Sequence, residues 1–371
     1  MNTIKRIIPV IKDYPWGNDY FIPALVSKEP DGPMAELWIG AHKSGSATVE
    51  ETGESLFDML NKDPAFCGCT AEAFPYLLKV LAIGQCLSIQ CHPDSFQAKK
   101  GYEAEAEKRK TTDRKLWNYQ DSSQKAEMLY ALTPVTAMCG FRKFDEMKKL
   151  LKATVPNLYS EYLSEYGSIK DLFDGLYRLD KDVLSFGEAE LLKNCDVLPE
   201  DIRTIVHELG DRYLGDPGVF SPLLLNVIHL KPGQAVYLKP CVLHAYIAGN
   251  GVELMNNSDN VLRGGLTSKH VDLDELEKVM NPDSYLPKPM DSVVDEGGRH
   301  FVCEGGFTLT LMENGQFRNT ISGPKVMICT EGEADVNGVK LTKGMCCIAG
   351  TADSVITVRA DKGTVFMASS N

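Results

Sequence analysis

The segment His244 to Lys269, HAYIAGNGVELMNNSDNVLRGGLTSK, places one imidazole, two carboxylates (Glu253, Asp259) and two cations (Arg263, Lys269) within 26 residues. From Glu253 to Arg263 only Leu254, Met255, Val261 and Leu262 could serve a core, so the stretch is shaped for a polar, anionic ligand. Two further segments carry the same kind of chemistry. In Leu87-Ser-Ile-Gln-Cys-His92 strict alternation puts Leu87, Ile89 and Cys91 on one face of an expected strand and Ser88, Gln90 and His92 on the other. Side chains two apart on one face sit roughly 6 to 7 Å apart, close enough to converge on one ion. In Gln124-Lys-Ala-Glu127 an extended chain aims Lys125 and Glu127 the same way. Taken singly, these are a solvated strand face and a surface ion pair. Together Gln90, His92, Glu127 and His244 offer two imidazoles, a carboxylate and an amide oxygen, a mixed set that suits zinc and leaves room for water or substrate. His42, His207, His229, His270 and His300 each have a simpler reading as surface or hydrogen-bonded core residues, with His270 the nearest rival because it follows Lys269.

The elements that would position these groups read as mainly β. From about residue 222 short apolar runs are separated by Gly, Pro and Asn turns, the pattern of a sandwich or barrel rather than of βαβ units. Leu230-Lys-Pro-Gly233 and Leu341-Thr-Lys-Gly344 share a Leu-x-x-Gly turn followed by an apolar strand. This weak repeat suggests two related β units. His244 stands eleven residues after the first glycine and Val355 eleven after the second, so the second unit lacks the ligand. Between the β regions, Phe144, Met147 and Leu151, then Ile169, Leu172, Phe173 and Leu176, then Ile202, Ile205, Val206 and Leu209 recur at helical spacing. Residues 143 to 220 therefore read as a helical insertion, with Ser168 and Asp171 as a capping box for its middle helix and the turn Asp216-Pro-Gly218 closing it. The charged stretch Tyr102 to Arg114 reads as a solvated helix.

A length of 371 residues implies two or three units with their own cores. The formal charge of -12 argues against a nucleic-acid surface, so an anionic ligand must be met by a local cationic pocket. Eleven cysteines in a large chain whose N-terminal apolar run is too short for a signal sequence, and with no stretch long enough to span a membrane, point to a cytoplasmic protein with reduced thiols. Cys67-Gly-Cys69 and Cys346-Cys347 lack zinc-site spacing and read as buried thiols.

Tyr14-Pro-Trp16-Gly17, Ala35-Glu36-Leu-Trp38-Ile-Gly40, Leu87-Ser-Ile-Gln-Cys-His-Pro-Asp94, Lys125-Ala-Glu127-Met and the segment His244 to Lys269 together resemble the landmarks of the type I phosphomannose isomerases, zinc-dependent enzymes of the cupin superfamily. The resemblance implies two cupin (jelly-roll) β units with an inserted α-helical domain. The first unit would run over 1–142 and 221–290, the insertion over 143–220, and a C-terminal cupin-like unit without metal ligands over 291–371. It implies one zinc ion per chain on Gln90, His92, Glu127 and His244, with Arg263, Lys125, Glu253 and Lys269 as catalytic groups. Ser88 and Asp259 would line the substrate cavity, with Trp16 near its mouth. The implied reaction interconverts mannose 6-phosphate and fructose 6-phosphate through an enediol. The implied partner is a small sugar phosphate, with no nucleic acid or membrane, on a monomer or weak homo-oligomer. The family commonly reads Asn-His-Lys-Pro-Glu where this chain has Ser123-Gln124-Lys125-Ala126-Glu127; an imidazole beside the lysine is replaced by an amide, which cannot titrate. It also reads Arg-Ala-Gly and Thr-Pro-Lys where this chain has Arg263-Gly264-Gly265 and Thr267-Ser268-Lys269.

Arg263 ranks first for stabilising negative charge on the reacting oxygens. Glu253, Lys125 and Lys269 all stand as bases, Lys269 or Arg263 as the phosphate anchor, and Asp259 as a group orienting Arg263. Two other readings share the metal. A non-catalytic bicupin that binds or senses a sugar phosphate would not need Lys125, Glu253, Arg263 and Lys269 together, and an iron oxygenase would use a facial triad rather than four ligands.

Overall fold

The computed structural model describes residues 4–320 and 322–370. It is mainly β, with two ten-stranded sheets, a two-stranded one, and helices concentrated between residues 144 and 224. One large sheet runs in the order Leu225–Leu230, Val135–Phe141, His244–Asn256, Tyr76–Ile83, Glu36–Ile39, Val10–Lys12, with the short strands Gln90–Cys91, Glu127–Ala131, Ala235–Leu238 and Leu262–Arg263 paired around it. The other is built from the C-terminal strands between Val293 and Ser370, and it also takes in Lys5–Ile8 and Thr48–Val49 from the start of the chain. Lys5 to Ile7 pair antiparallel with Ile348 to Cys346, so the first described residues stitch the two ends of the chain together.

Strand alternation decides which side chains reach the site. In Tyr76–Ile83, Tyr76, Leu78, Val80 and Ala82 pack into the core between the two large sheets, as do Val252 and Leu254 of His244–Asn256. With period 2, Lys79 and Glu253 must then point to the opposite face, and the antiparallel register sets them directly opposite each other. A second core lies between the helices and the other side of the site sheet, uniting Ile89, Cys91, Met138, Phe141, Leu243 and Ala245 with apolar residues of the helices.

The helical periodicity is found where the spacing predicts it. Helices span Phe144–Thr154, Ile169–Tyr177, Lys181–Asn194 and Glu200–Tyr213, and Met147, Leu151, Leu172, Phe173, Leu176, Ile202, Ile205, Val206 and Leu209 are all buried. Ser168 caps its helix by accepting from the Asp171 N–H at 3.1 Å, but its hydroxyl also donates to the Asp171 carboxylate, which spoils the reciprocal arm of the expected box. The full box forms at Asp94 and Gln97 instead. The Leu-x-x-Gly repeat is geometric as well as sequential. Gly233 and Gly344 both sit at positive φ, 92° and 84°, and the eleven-residue offset lands on His244, the first residue of a 13-residue strand, and on Val355, one residue before a 15-residue strand. No disulfide is formed among the described residues. Among the described residues no helix is long and apolar enough to cross a membrane.

Candidate metal centre and cavity

Three of the predicted ligands converge. His92, Glu127 and His244 are 2%, 3% and 3% exposed, and their ligand atoms lie within 4.8 Å of one another. Glu127 sits between the rings, with Oε1 3.3 Å from His92 Nε2 and Oε2 3.4 Å from His244 Nε2. Each imidazole is fixed from behind. His92 Nδ1 is 2.7 Å from the Asn260 carbonyl and His244 Nδ1 is 2.9 Å from the Val242 carbonyl. A carbonyl only accepts, so in both rings Nδ1 carries the hydrogen and Nε2 presents a lone pair, the arrangement that prepares histidine for a metal. Burial and the nearby Lys125 lower the His92 pKa to about 4, so the ring stays neutral. His92 Nε2 is buried with no well-formed hydrogen bond of its own. A lone pair turned toward a carboxylate is unfavourable unless a cation lies between them, and the donor set of two imidazoles and a carboxylate fits a divalent transition metal.

Gln90 pairs through its backbone with His244 on one side and Arg263 on the other. It shares a chamber of about 50 Å³ with Glu127 and His244. Its Nε2 approaches Ser88 Oγ at 3.4 Å. The expected strand Leu87–His92 is shorter than the alternation implies, since only Gln90 and Cys91 are paired. The Leu87 N–H donates to the Tyr246 carbonyl and the Ile89 N–H to the Gly265 carbonyl, so the backbone changes partner in mid-run. Ile89 and Cys91 reach the helical core as predicted, whereas Leu87 joins the cluster with Leu81 and Tyr246.

Lys125 Nζ lies 2.9 Å from Glu127 Oε1, as the shared extended direction requires. Burial alone would raise the Glu127 pKa, but Lys125 and the two histidines outweigh it and hold the carboxyl well below the usual range. Beneath the cavity is a second charged group that sequence reasoning missed. Lys79 Nζ is 3.1 Å from Glu253 Oε2 and 4.0 Å from Glu36 Oε2. Trp38 Nε1 donates to Glu36, and Tyr246 donates to Glu253 at 3.2 Å. Burial would lower the Lys79 pKa, but Glu36, Glu253 and Glu127 raise it, so the ammonium stays charged. Burial raises the Glu253 carboxyl against the opposing pull of Lys79. The overlooked signal was Lys79 itself, the one cation in the apolar run YLLKVLAI, all of which is buried; such a lysine needs a buried partner.

Above these groups opens a cavity of about 1050 Å³. Trp16, Ser88, Gln90, Lys125, Asp259, Arg263 and Lys269 all line it, together with Lys79, Glu36 and His42. Glu253 borders only the small chamber below, and Gln124 lines neither. Arg263 is half-buried, with its pKa lowered by burial. Lys269 stands at the rim, 5.9 Å over the Tyr14 ring, its pKa lowered by partial burial and by Arg263. Trp16 stacks on Tyr14 with ring centroids 6.0 Å apart.

One expectation fails here: Asp259 does not orient Arg263. Its carboxylate meets His42 Nε2 at 3.4 Å, Ser44 Oγ at 3.0 Å and Arg114 at 3.2 Å. The reason is that Arg263 is already placed by strand pairing with Gln90, while Asp259 lies in the unpaired loop before it and meets a short helical turn, Arg114–Leu116. The stretch Tyr102 to Arg114 is largely solvated as expected, but its last residue reaches the cavity wall through Asp259. His42 fits its reading as a hydrogen-bonded core residue, accepting from the Ser44 N–H at Nδ1, yet it also lines the cavity. His207, His229 and His300 hydrogen-bond away from the site.

Residues 4–144 match the family model "Phosphomannose isomerase type I, catalytic domain". The mannose-6-phosphate isomerase of Escherichia coli K12 is 31% identical over 382 residues, an alignment covering 96% of this chain and 97% of that protein. The fold superposes on the apo form of mannose 6-phosphate isomerase from Salmonella typhimurium with a TM-score of 0.89 at 29% identity, covering all of both chains. A mannose 6-phosphate isomerase structure bound with zinc and yttrium matches with a TM-score of 0.90, again at 29% identity and full coverage. With the landmark residues gathered round one cavity and the likeness extending over nearly the whole length, the chain belongs to the type I phosphomannose isomerase family.

Proposed function

We propose that this chain is a zinc-dependent aldose–ketose isomerase interconverting mannose 6-phosphate and fructose 6-phosphate through an enediol. The observation that carries the reading is the buried cluster of His92, Glu127 and His244, with two imidazole lone pairs turned inward, beneath a cavity edged by Lys79, Lys125, Arg263 and Lys269. His92, Glu127 and His244 would hold the ion, with Gln90 as fourth ligand. Bound zinc supplies Lewis-acid polarisation of the sugar oxygens at neutral pH. The chain's own groups do the rest. Lys125 borders both the metal ligands and the cavity, where it is placed to relay the proton that passes between C2 and C1 while the hydroxyl proton crosses from O2 to O1. Lys79, held charged, and Arg263 face the oxygens on which the enediol's negative charge develops. Lys269 holds the phosphate at the far side. Glu253, screened from the large cavity, acts on Lys79 rather than on substrate.

The same reading organises the fold as two jelly-roll cupin units. One spans 1–142 and 221–290 with the metal site, interrupted by the helical insertion 143–220. The second, 291–371, repeats the Leu-x-x-Gly turn without ligands. A cysteine-rich chain with no disulfide among its described residues supports a reducing, cytoplasmic setting. The direct test is removal of metal. Chelation should abolish conversion of mannose 6-phosphate in an assay coupled to fructose 6-phosphate, and zinc should restore it. Full activity in metal-free protein would overturn the reading.

A further inference from the structure

The loop that carries the cavity's cations is held from below by a carboxylate of the helical region. Asp216 follows the helix Glu200–Tyr213 and is half-buried. Its Oδ1 accepts from the Gly218 N–H at 2.8 Å and its Oδ2 from the Thr267 N–H at 3.3 Å, with the Leu266 N–H also directed at it. Thr267 passes the constraint on, because its Oγ1 accepts from the Lys269 N–H at 3.1 Å. The loop adopts a backbone that needs such support. Gly265 has φ 115°, and Leu266, with its side chain buried, is held at φ 55°, a conformation a γ-branched residue rarely takes. The fit leaves no slack, since a Cβ on Gly265 would stand 2.6 Å from Asp216 Oδ1.

We infer that Asp216 is a positioning residue for the substrate's phosphate: through Leu266 and Thr267 it sets where Lys269 stands at the rim of the cavity. This rests on the proposed reading of Lys269 as the phosphate anchor. It also predicts a division of labour. Arg263 is fixed independently, by strand pairing with Gln90 and by the bond from the Gly264 N–H to the Ile89 carbonyl at 2.8 Å. Losing Asp216 should therefore loosen Lys269 while leaving Arg263 in place.

The test is Asp216→Asn in the zinc-loaded enzyme, with Gly265→Ala disturbing the same contact from the loop side. An amide keeps the shape but turns a donor toward backbone donors. Hydrogen bonds to a charged acceptor of this kind convert to about tenfold or more in affinity. We expect KM for mannose 6-phosphate and the inhibition constant of inorganic phosphate both to rise about tenfold, with kcat changed less than threefold and zinc content unchanged. Inhibition by a neutral hexitol should not move. A loss of kcat at unchanged KM, an equal weakening of hexitol and phosphate, or unchanged phosphate inhibition in either folded variant overturns the assignment. Lys269→Ala runs beside them. If it leaves phosphate inhibition unaltered, the phosphate-anchor reading fails, whereas a shift in Lys269→Ala without one in Asp216→Asn or Gly265→Ala sinks the positioning role alone.

Discussion

Replacing Lys79 by Met should expose how much the buried charges under the cavity depend on one ammonium. Lys79 and Glu253 are 6% and 3% exposed, so solvent screens them little. At 3.1 Å, Coulomb's law with an effective dielectric of 20 gives ~5 kcal/mol for the pair, and the 4.0 Å approach of Glu36 adds ~4 kcal/mol. Desolvation cancels most of this, so the net worth of the intact group is small. Removing the cation is a different matter, because Glu36 and Glu253 are then left buried beside Glu127 without their ion-pair partner, keeping only the hydrogen bonds from Trp38 and Tyr246. Breaking a buried pair in this way costs about 3–5 kcal/mol, a fall in Tm of roughly 6–10 °C at about 2 °C per kcal/mol for a chain of this size. The assay is calorimetry on zinc-loaded protein for Lys79→Met, Glu253→Gln and the double variant. Glu253→Gln alone should cost less, since Lys79 retains Glu36. The double variant should be more stable than the sum of the single effects by ~2 kcal/mol, because the second change removes an orphaned charge. Strict additivity, or a Lys79→Met protein within 2 °C of the parent, would refute the buried-charge account.

Arg263→Ala should lower kcat at least about a hundredfold, the usual loss for one preorganised charge-stabilising group, while zinc content measured by elemental analysis stays at the parent level; normal turnover would exclude Arg263 from the reaction. Asp259→Asn should weaken the tie to Arg114 and His42 but leave Arg263 in place, so its effect and that of Arg263→Ala should combine additively in kcat/KM, and strong coupling between them would contradict the observed geometry. In metal-free protein the depressed pKa of His92, about 4 against an ordinary 6.5, means that folding favours the neutral ring. The resulting stabilisation is complete above pH 6.5 and is lost as pH falls toward 4, to a limit of ~3 kcal/mol. A metal-free stability profile flat across that window would show that the ring is not held neutral.

The parts of this molecule that were legible in the sequence are those set by local periodicity. Met147, Leu151, Leu172 and Leu209 marked helices because burial on one face imposes a 3.6-residue spacing whatever the partner is. The turns at Gly233 and Gly344 were legible because positive φ selects glycine. His92, Glu127 and His244 were found by combining residue type, alternation and a family resemblance, since spacing alone cannot bring together side chains from three separated segments. What stayed hidden was non-local. Lys5–Ile8 pairs with a strand some 340 residues later, and nothing in its four residues names that partner. The contact of Asp259 with Arg114 spans 145 residues, and Asp216 reads as an ordinary turn residue until the fold carries Thr267 over it. Lys79 is legible in principle, because a lysine inside a fully buried apolar strand requires a buried counter-charge.

The backbone mounts the groups proposed to act at the reacting carbons differently from the one proposed to hold the phosphate. Gln90 occupies a short strand flanked by His244 on one side and Arg263 on the other, so one proposed metal ligand and the proposed charge-stabilising cation share one hydrogen-bonded ladder, with Gln90, the proposed fourth ligand, between them. Hydrogen bonding at this register fixes their relative positions to within the tolerance of a strand, which proton transfer requires, since a displacement of about 1 Å costs orders of magnitude in rate. Lys269 lies beyond the ladder, on a loop whose shape depends on Gly265, Leu266 and the Asp216 carboxylate. A phosphate remote from C1 and C2 tolerates that looser mounting because its task is binding rather than bond-making, and a loop is where sequence can change without disturbing the reaction centre. The departures from the family pattern at Gly264 and Ser268 fall on this loop, while Gln90, His92, Glu127, His244 and Arg263 are kept. Variation in substrate preference within such a framework is therefore expected to arise from residues 264–269 and the helical residues beneath them, with the metal ligands and their ladder left intact.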